Sequence, residues 1–275
     1  MRIIFSRKGF DSASGGCPSP ILGGTPVSLP IPAAKFTTTT FGDLAGPHTG
    51  LVADLTRGRY GATSGCHLDP DIDHAVLPRQ RGWRGAFGQA NAALSHLETQ
   101  SVGPGDVFLF WGSFREAERK ADGWRFIGPT RHLIFGWLQV ASYHRIDQEG
   151  PGNLATRHPW LSAHPHLHPC RQGPNGIYIA TPRLSLPGWD SHLPGWGVLR
   201  RGHDLTAPGA NPSLWVVPDW LNPHTGGKGM SYHPPSRWSP TGTVQCVARG
   251  QEFVACPANP GHAVAWVNQI LEAAS

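Results

Sequence analysis

Charge is scarce in this chain. Asp, Glu, Lys and Arg together make up 15% of its 275 residues, and no block of Lys and Arg stands out. Long hydrophobic runs are missing too. "VFLFW" and "HLIFGWLQVA" are the longest apolar stretches, far short of the roughly 20 residues a spanning helix needs. No membrane partner is therefore expected. The N-terminus lacks a cationic segment followed by an apolar one, so no secretory signal is read there. No CxxC occurs, and the cysteines Cys17, Cys66, Cys170, Cys246 and Cys256 are odd in number. A disulfide framework is not expected in a chain this long, and the expected compartment is reducing and cytoplasmic. Neither GxGxxG nor GxxxxGK[ST] is present, which removes the standard nucleotide-binding loops. GxSxG is absent, and with it the nucleophile elbow of the α/β-hydrolases. No repeat, low-complexity tract or linker divides the sequence.

What is abundant is glycine (35), proline (27) and large aromatics, with Trp and Phe at 11 each. The first pair favours short strands and ordered loops over long helices; the second pair excludes disorder. Hydrophobic residues form 39% of the chain, enough for a sizeable core. The net charge is +5 and the isoelectric point about 9.2. Both are compatible with a polyanionic partner such as a nucleotide or nucleic acid, although the predominance of Arg over Lys also follows from base composition.

The pattern predicts a strand-rich α+β fold, residues 1–275 forming a single domain with long ordered loops. Arg2–Ser6 reads as a buried strand. "PSPILGGTPVSLPIP" reads as two extended pieces around Gly23–Gly24, a hairpin signal, with prolines pushing its flanks to a sheet edge. "GAFGQANAALSHLET" reads as a helix on the spacing of Phe87, Ala90, Leu94 and Leu97, which would put Gln89 and His96 on one other face. "VGPGDVFLFWGSFR", "RHLIFGWLQVASYHRI" and "NGIYIATPRL" read as strands, with further short strands in "SLWVVPDWL", "WSPTGTVQCVA" and "QEFVAC". Ala263, Trp266, Val267, Ile270 and Leu271 mark a closing amphipathic helix started at Pro260–Gly261.

Three polar constellations interrupt this pattern. The loop "SRKGFDSASGG" follows the first strand at once. Arg7 and Lys8 suit phosphate. Ser12, Ser14 and the backbone of Gly15–Gly16 suit phosphate or sugar oxygens, and Asp11 suits a ribose hydroxyl, a base amine or a base's role. A plain turn closed by an Arg7–Asp11 ion pair is the alternative. In "GCHLDPDIDH", alternate residues of an extended segment share a face, so His67, Asp69, Asp71 and Asp73 can converge. Carboxylates beside an imidazole suit a divalent metal ion or acid/base catalysis; a solvated turn with capping aspartates is the alternative. A Cys66–His67 nucleophile pair is disfavoured, since sequence neighbours rarely form one. In "RHPWLSAHPHLHPC", His158, His164, His166, His168 and Cys170 are zinc-type ligands. Their HxHxHxC spacing, with Pro165 and Pro169 inside it, matches no usual zinc pattern. Substrate contact by His164 and His166 is the other reading.

"MRIIFSRKGFDSASGGCPSPI", "VSLPIP", "CHLDPD", "FGQANAALSHL", "GDVFLFWGSFR" and "HPHLHP…NGIYIA", in this order, resemble the third of the nucleotide-modification-associated domains. That family belongs to bacteria and their phages and keeps genomic company with nucleic-acid-modifying and defence systems. The resemblance is clearest from residue 1 to about residue 180. It implies a link to modified nucleotides, with Arg7, Lys8, Gly9, Asp11, Ser12, His67, Asp69, Asp71, Gln89 and His96 at motif positions. More faintly, "VGPGDVFLFWG" with "RHLIFGWLQVASYH" is similar to the paired strands of PUA-like barrels, which bind RNA or modified bases. The expected function is an enzyme acting on nucleotides or on bases in nucleic acid. Catalysis would fall to Asp11, His67, Asp69 and Asp71. Arg7, Lys8, Ser12, Ser14, Gly15, Gly16, Gln89, His96, His164 and His166 would hold substrate. The alternative is a non-catalytic, PUA-like reader of modified DNA or RNA, using tryptophan stacking and arginine contacts.

Overall fold

The computed structural model describes residues 1–248 and 250–273. Its frame is a mixed nine-stranded sheet. The centre is β1 (Ile3–Arg7), parallel to the long strand β7 (Val107–Lys120) and antiparallel to β16 (Glu252–Ala255). β7 turns back into β8 (Gly123–Arg145), which continues through β9 (Asn175–Ala180) to β6 (Ala86–Ala90) at the sheet edge. β12 (Trp196–Asp204) pairs with β8, and the hairpin β2 (Ser19–Leu22) and β3 (Thr25–Pro26) joins β7. Among the described residues no pairing joins β16 to β6. Small two- and three-stranded units complete the β structure: β4 (Ile31–Pro32) with β5 (Cys66–His67), β10 (Ser185–Leu186) with β11 (Trp189–Asp190), and β13 (Leu214–Val216) with β15 (Thr243–Gln245) and β14 (Trp238–Ser239).

The two-residue period of the strands explains why the sheet is buried on both faces. Ile3, Phe5, Val107, Leu109 and Trp111 face one core, and Ile4, Phe108 and Phe110 the other. The first core is covered by Trp215, Trp238 and helix α5 (Pro260–Ala273), whose Ala263, Val264, Val267, Ile270 and Leu271 are buried. Of the stripe read from the sequence, Ala263, Val267, Ile270 and Leu271 are thus buried, while Trp266 is half-buried against the same core and Val264 joins it. The second core receives Phe87 from β6, Tyr178 from β9 and Leu97 from α2 (Asn91–Thr99). The N-terminal loops have a core of their own, in which Phe10, Leu29, Phe41 and Cys66 pack around Leu51 and Val52 of α1 (His48–Leu55). Two short helices, α3 (Ile146–Glu149) and α4 (Pro151–Arg157), lead from β8 towards β9.

The Gly23–Gly24 hairpin forms as expected. Both glycines have positive φ, +56° and +86°, the left-handed conformation a two-residue loop with strand-compatible twist demands. The helix expected over Phe87–Leu97 is a correction. Residues 86–90 pair with β9, Ala86 opposite Ile179 and Gln89 opposite Gly176, and the helix begins only at Asn91. The cross-strand partner decides over local spacing here. All five cysteines are unpaired. Among the described residues no helix is long and apolar enough to cross a membrane.

Candidate functional site

β6 is the sheet edge, and an edge leaves backbone groups to satisfy. The segment after β5 does so. Asp71 N–H donates to Ala86 O (2.9 Å) and Ala86 N–H returns to Asp71 O (3.0 Å). One step along, Gly88 N–H donates to Asp69 Oδ1 (2.8 Å). The Asp69 side chain, only 6% exposed, is thereby fixed against β6. A single turn of 3-10 helix, Pro165–Leu167, brings His166 to the same place. Its ring occupies the space a Cβ on Gly88 would fill, which would lie 2.2 Å from His166 Cγ.

His67 Nε2 stands 3.9 Å and His166 Nε2 3.6 Å from Asp69 Oδ2, and His164 Nε2 stands 3.6 Å from Asp69 Oδ1. One donor atom from each of His67, Asp69 and His166 lies within 4.8 Å of the others, a spacing that can hold a metal ion. Burial pushes the imidazolium forms of His67 and His166 down to about 4 and about 3. Burial alone would raise the Asp69 carboxyl, but the His164 side chain facing its Oδ1 pulls the other way and holds it below the usual carboxylate range.

This cluster forms one wall of a cleft of about 470 Å³. The opposite wall is the opening loop, with Arg7, Lys8, Asp11, Ser12 and Ser14; Gln89, Arg171 and Gln251 complete it. The three constellations of the sequence, far apart along the chain, thus meet at one place. A more apolar cleft of about 350 Å³ adjoins it, sharing Gly9 and Asp69, and is lined by Val27, Ile72 and Phe135 among others.

The opening loop carries both features expected of it. It faces the cleft, and it is closed by the Arg7–Asp11 ion pair (2.6 Å). Asp11 Oδ1 also accepts from the N–H groups of Ala13 (2.8 Å) and Ser14 (2.7 Å). The Asp11 carboxylate therefore shapes the loop. Lys8 Nζ is bonded to Glu252 Oε1 (2.9 Å), which also accepts from Gln89 Nε2 (2.7 Å) and Ser6 Oγ (3.1 Å). Glu252 is 1% exposed and its Oε2 has no hydrogen-bond partner among the described residues.

Several expected site residues lie elsewhere. Asp71 is held by a two-bond contact from Arg79 (2.7 and 2.9 Å) and by Trp83 Nε1, while Asp73 accepts from Ala75 N–H and lines the adjoining apolar cleft. The segment folds back onto Arg79 instead of running extended, so only His67 and Asp69 reach the cleft wall. His96 leaves the cleft because the chain turns from strand to helix between it and Gln89; its Nε2 meets Ser231 Oγ (3.0 Å). Gly15 and Gly16 face a different groove, with Gly16 N–H used inside the loop on Asp11 O (2.9 Å). His168 stacks edge-on against Phe36 and Cys170 is exposed, so the HxHxHxC run does not act as one ligand set. Burial pushes the Cys66 thiol up to about 12, against a thiolate beside His67. Arg171, Asn175 and Glu252 were not among the expected site residues. A lone acid inside the apolar strand "EFVA" is the signal that marks Glu252.

A family model for nucleotide modification associated domain 3 matches residues 2–256. The chain belongs to that family. The match spans the opening loop, the His67–Asp69 segment, His166 and Glu252, while α5 lies beyond it. Family membership links the chain to nucleotide modification. No curated protein and no solved structure gives a significant match.

Proposed function

We propose that the cleft is the active site of an enzyme that modifies a nucleotide or a base in nucleic acid. The observation that supports this is the convergence of a cation-bearing loop, a carboxylate–imidazole cluster and Arg171 on one cleft, in a chain of the nucleotide modification associated domain 3 family. Arg171 is the cleft arginine without a carboxylate partner among the described residues, and it would take a phosphate. The Ser12 and Ser14 hydroxyls would meet sugar or phosphate oxygens. The adjoining apolar cleft suits a base, and His67, Asp69 and His166 would act where the two clefts meet. A base in duplex DNA would first be flipped out, at a cost of a few kcal/mol.

Nucleoside mass spectrometry of DNA, RNA and the nucleotide pool tests this reading. Cells expressing the wild-type chain are expected to gain or lose a nucleoside mass that cells expressing Asp69→Ala do not. An unchanged profile, together with no binding of nucleotides or oligonucleotides by the purified protein, would sink it.

The reading of a nucleic-acid binder draws on a separate feature. A groove of about 590 Å³ on the other side of the opening loop is lined by Arg57, Arg59, Arg115 and Arg125 against a single carboxylate, Asp54. Among the described residues the Arg57 and Arg59 side chains make no hydrogen bond or ion pair. Such a groove suits a polynucleotide backbone. The double variant Arg57→Ala/Arg59→Ala is expected to weaken oligonucleotide binding at least about tenfold in moderate salt. The slope of log affinity against log salt should fall by about 1–2. Fluorescence anisotropy across a salt series reads both. A pure reader would show this loss with no nucleoside change in the wild type, and an enzyme on polynucleotides would show both.

A further inference from the structure

The geometry points to a mononuclear metal centre on His67, Asp69 and His166 that takes a first-row divalent transition ion. Its use in nucleotide chemistry rests on the reading of the cleft given above; the ion itself does not. Asn175 Nδ2 donates to His166 O (2.8 Å), which fixes the amide so that Asn175 Oδ1 faces His166 Nδ1 at 2.6 Å. An amide oxygen only accepts, so Nδ1 carries the hydrogen and Nε2 presents a bare lone pair. That lone pair faces Asp69 Oδ2 at 3.6 Å. Two acceptors thus confront each other with nothing donated between them. Asp69 Oδ2 receives no hydrogen bond from any described residue, and neither ring nitrogen of His67 makes one. A cation at this point satisfies all three atoms.

The separations fit. Ligand atoms about 2.1 Å from one ion lie roughly 3.0–3.4 Å apart. The observed 3.6 and 3.9 Å require closure by about 0.2–0.9 Å. Two imidazoles with one carboxylate select a transition ion over Mg²⁺ or Ca²⁺, and three protein ligands leave positions open towards the cleft. The ligands are themselves held in place by hydrogen bonds from behind. Asn175 orients His166, and Gly88 N–H holds Asp69 Oδ1. His164 supplies an independent sign. Its side chain is 2% exposed, its Nδ1 accepts from His166 N–H (3.3 Å), and its Nε2, 3.6 Å from Asp69 Oδ1, has no hydrogen-bond partner among the described residues.

The test uses untagged full-length protein. It is loaded anaerobically with Fe²⁺, Mn²⁺, Co²⁺ or Zn²⁺ in turn, desalted and assayed by elemental mass spectrometry. The visible absorption of the Co²⁺ form is a second readout. About one equivalent of at least one ion is expected in the wild type and in His168→Ala, whose imidazole lies outside the cluster. His67→Ala and His166→Ala should hold less than about 0.1 equivalent. His67→Gln, a milder change, guards against simple misfolding and should also lose the ion. Less than about 0.1 equivalent of every ion in the wild type overturns the proposal, as does a site lost in His168→Ala but kept in His67→Gln. A metal-free wild type that still alters nucleosides would remove the ion and leave the proposed function standing. A loaded protein that binds and changes no nucleotide would do the reverse.

Discussion

Glu252→Ala is expected to cost about 3–5 kcal/mol of folding stability, a large part of what a domain has in total. The carboxylate is where three elements meet. Ser6 of β1 lies opposite Glu252 in register, Lys8 follows the end of β1, and Gln89 stands near the end of β6. All three side chains donate to the same oxygen. Removing it leaves the Lys8 ammonium, only 9% exposed, without a counter-charge, and an unpaired buried charge is far costlier than an absent pair. The double variant Lys8→Met/Glu252→Leu should therefore recover most of the loss. Lys8 already lies over the Phe87 ring at 4.4 Å, where a thioether also packs well. Urea denaturation of wild type, Lys8→Met, Glu252→Leu and the double variant measures the coupling directly. A single-variant loss below about 1 kcal/mol would place the pair in contact with water and contradict its burial.

Gly88→Ala is expected to abolish the site while adding one methyl group. The new Cβ would meet His166 Cγ at 2.2 Å and Cδ2 at 2.3 Å. The ring cannot swing away without giving up Asn175, which holds it at both its Nδ1 and its main-chain carbonyl. The strand must shift instead, and its N–H then leaves Asp69. Overpacking of this kind costs about 1–3 kcal/mol. A displacement near 1 Å at reacting groups lowers a rate on the order of a hundredfold. The variant should melt earlier, bind little metal and yield no nucleoside change. Full metal loading in Gly88→Ala would show that His166 is not packed against β6 as described.

Both predictions rest on contacts the sequence conceals. Lys8 and Glu252 are 244 positions apart, and Gln89 and Glu252 are 163 apart. The expectation that His67, Asp69, Asp71 and Asp73 share a face assumes an extended segment. Arg79 reaches back and takes Asp71, so the alternation fails after Asp69. The helix expected from Phe87 onward shows the same limit. Phe87, Ala90, Leu94 and Leu97 do keep helical spacing, yet β9 claims the first half as a strand. The histidine run is similar. A single 3-10 turn at Pro165–Leu167 turns His164 and His166 towards Asp69 while His168 packs against Phe36.

What the sequence determined by itself are features settled by near neighbours. The strands read at Arg2–Ser6 and in "VFLFW", the Gly23–Gly24 turn and the stripe of α5 each depend on residues only a few positions apart, and each formed, the first of them one residue further along at Ile3–Arg7. The three polar loops were also visible, because polar residues gathered between glycines and prolines cannot join a core. Only the tertiary structure decided that these loops share one cleft, that Lys8 is neutralised from the far end of the chain, and that His166 presents a bare nitrogen to Asp69. Those outcomes depend on long-range pairing and on which acceptor each donor finds once water is excluded, and no local pattern encodes that choice.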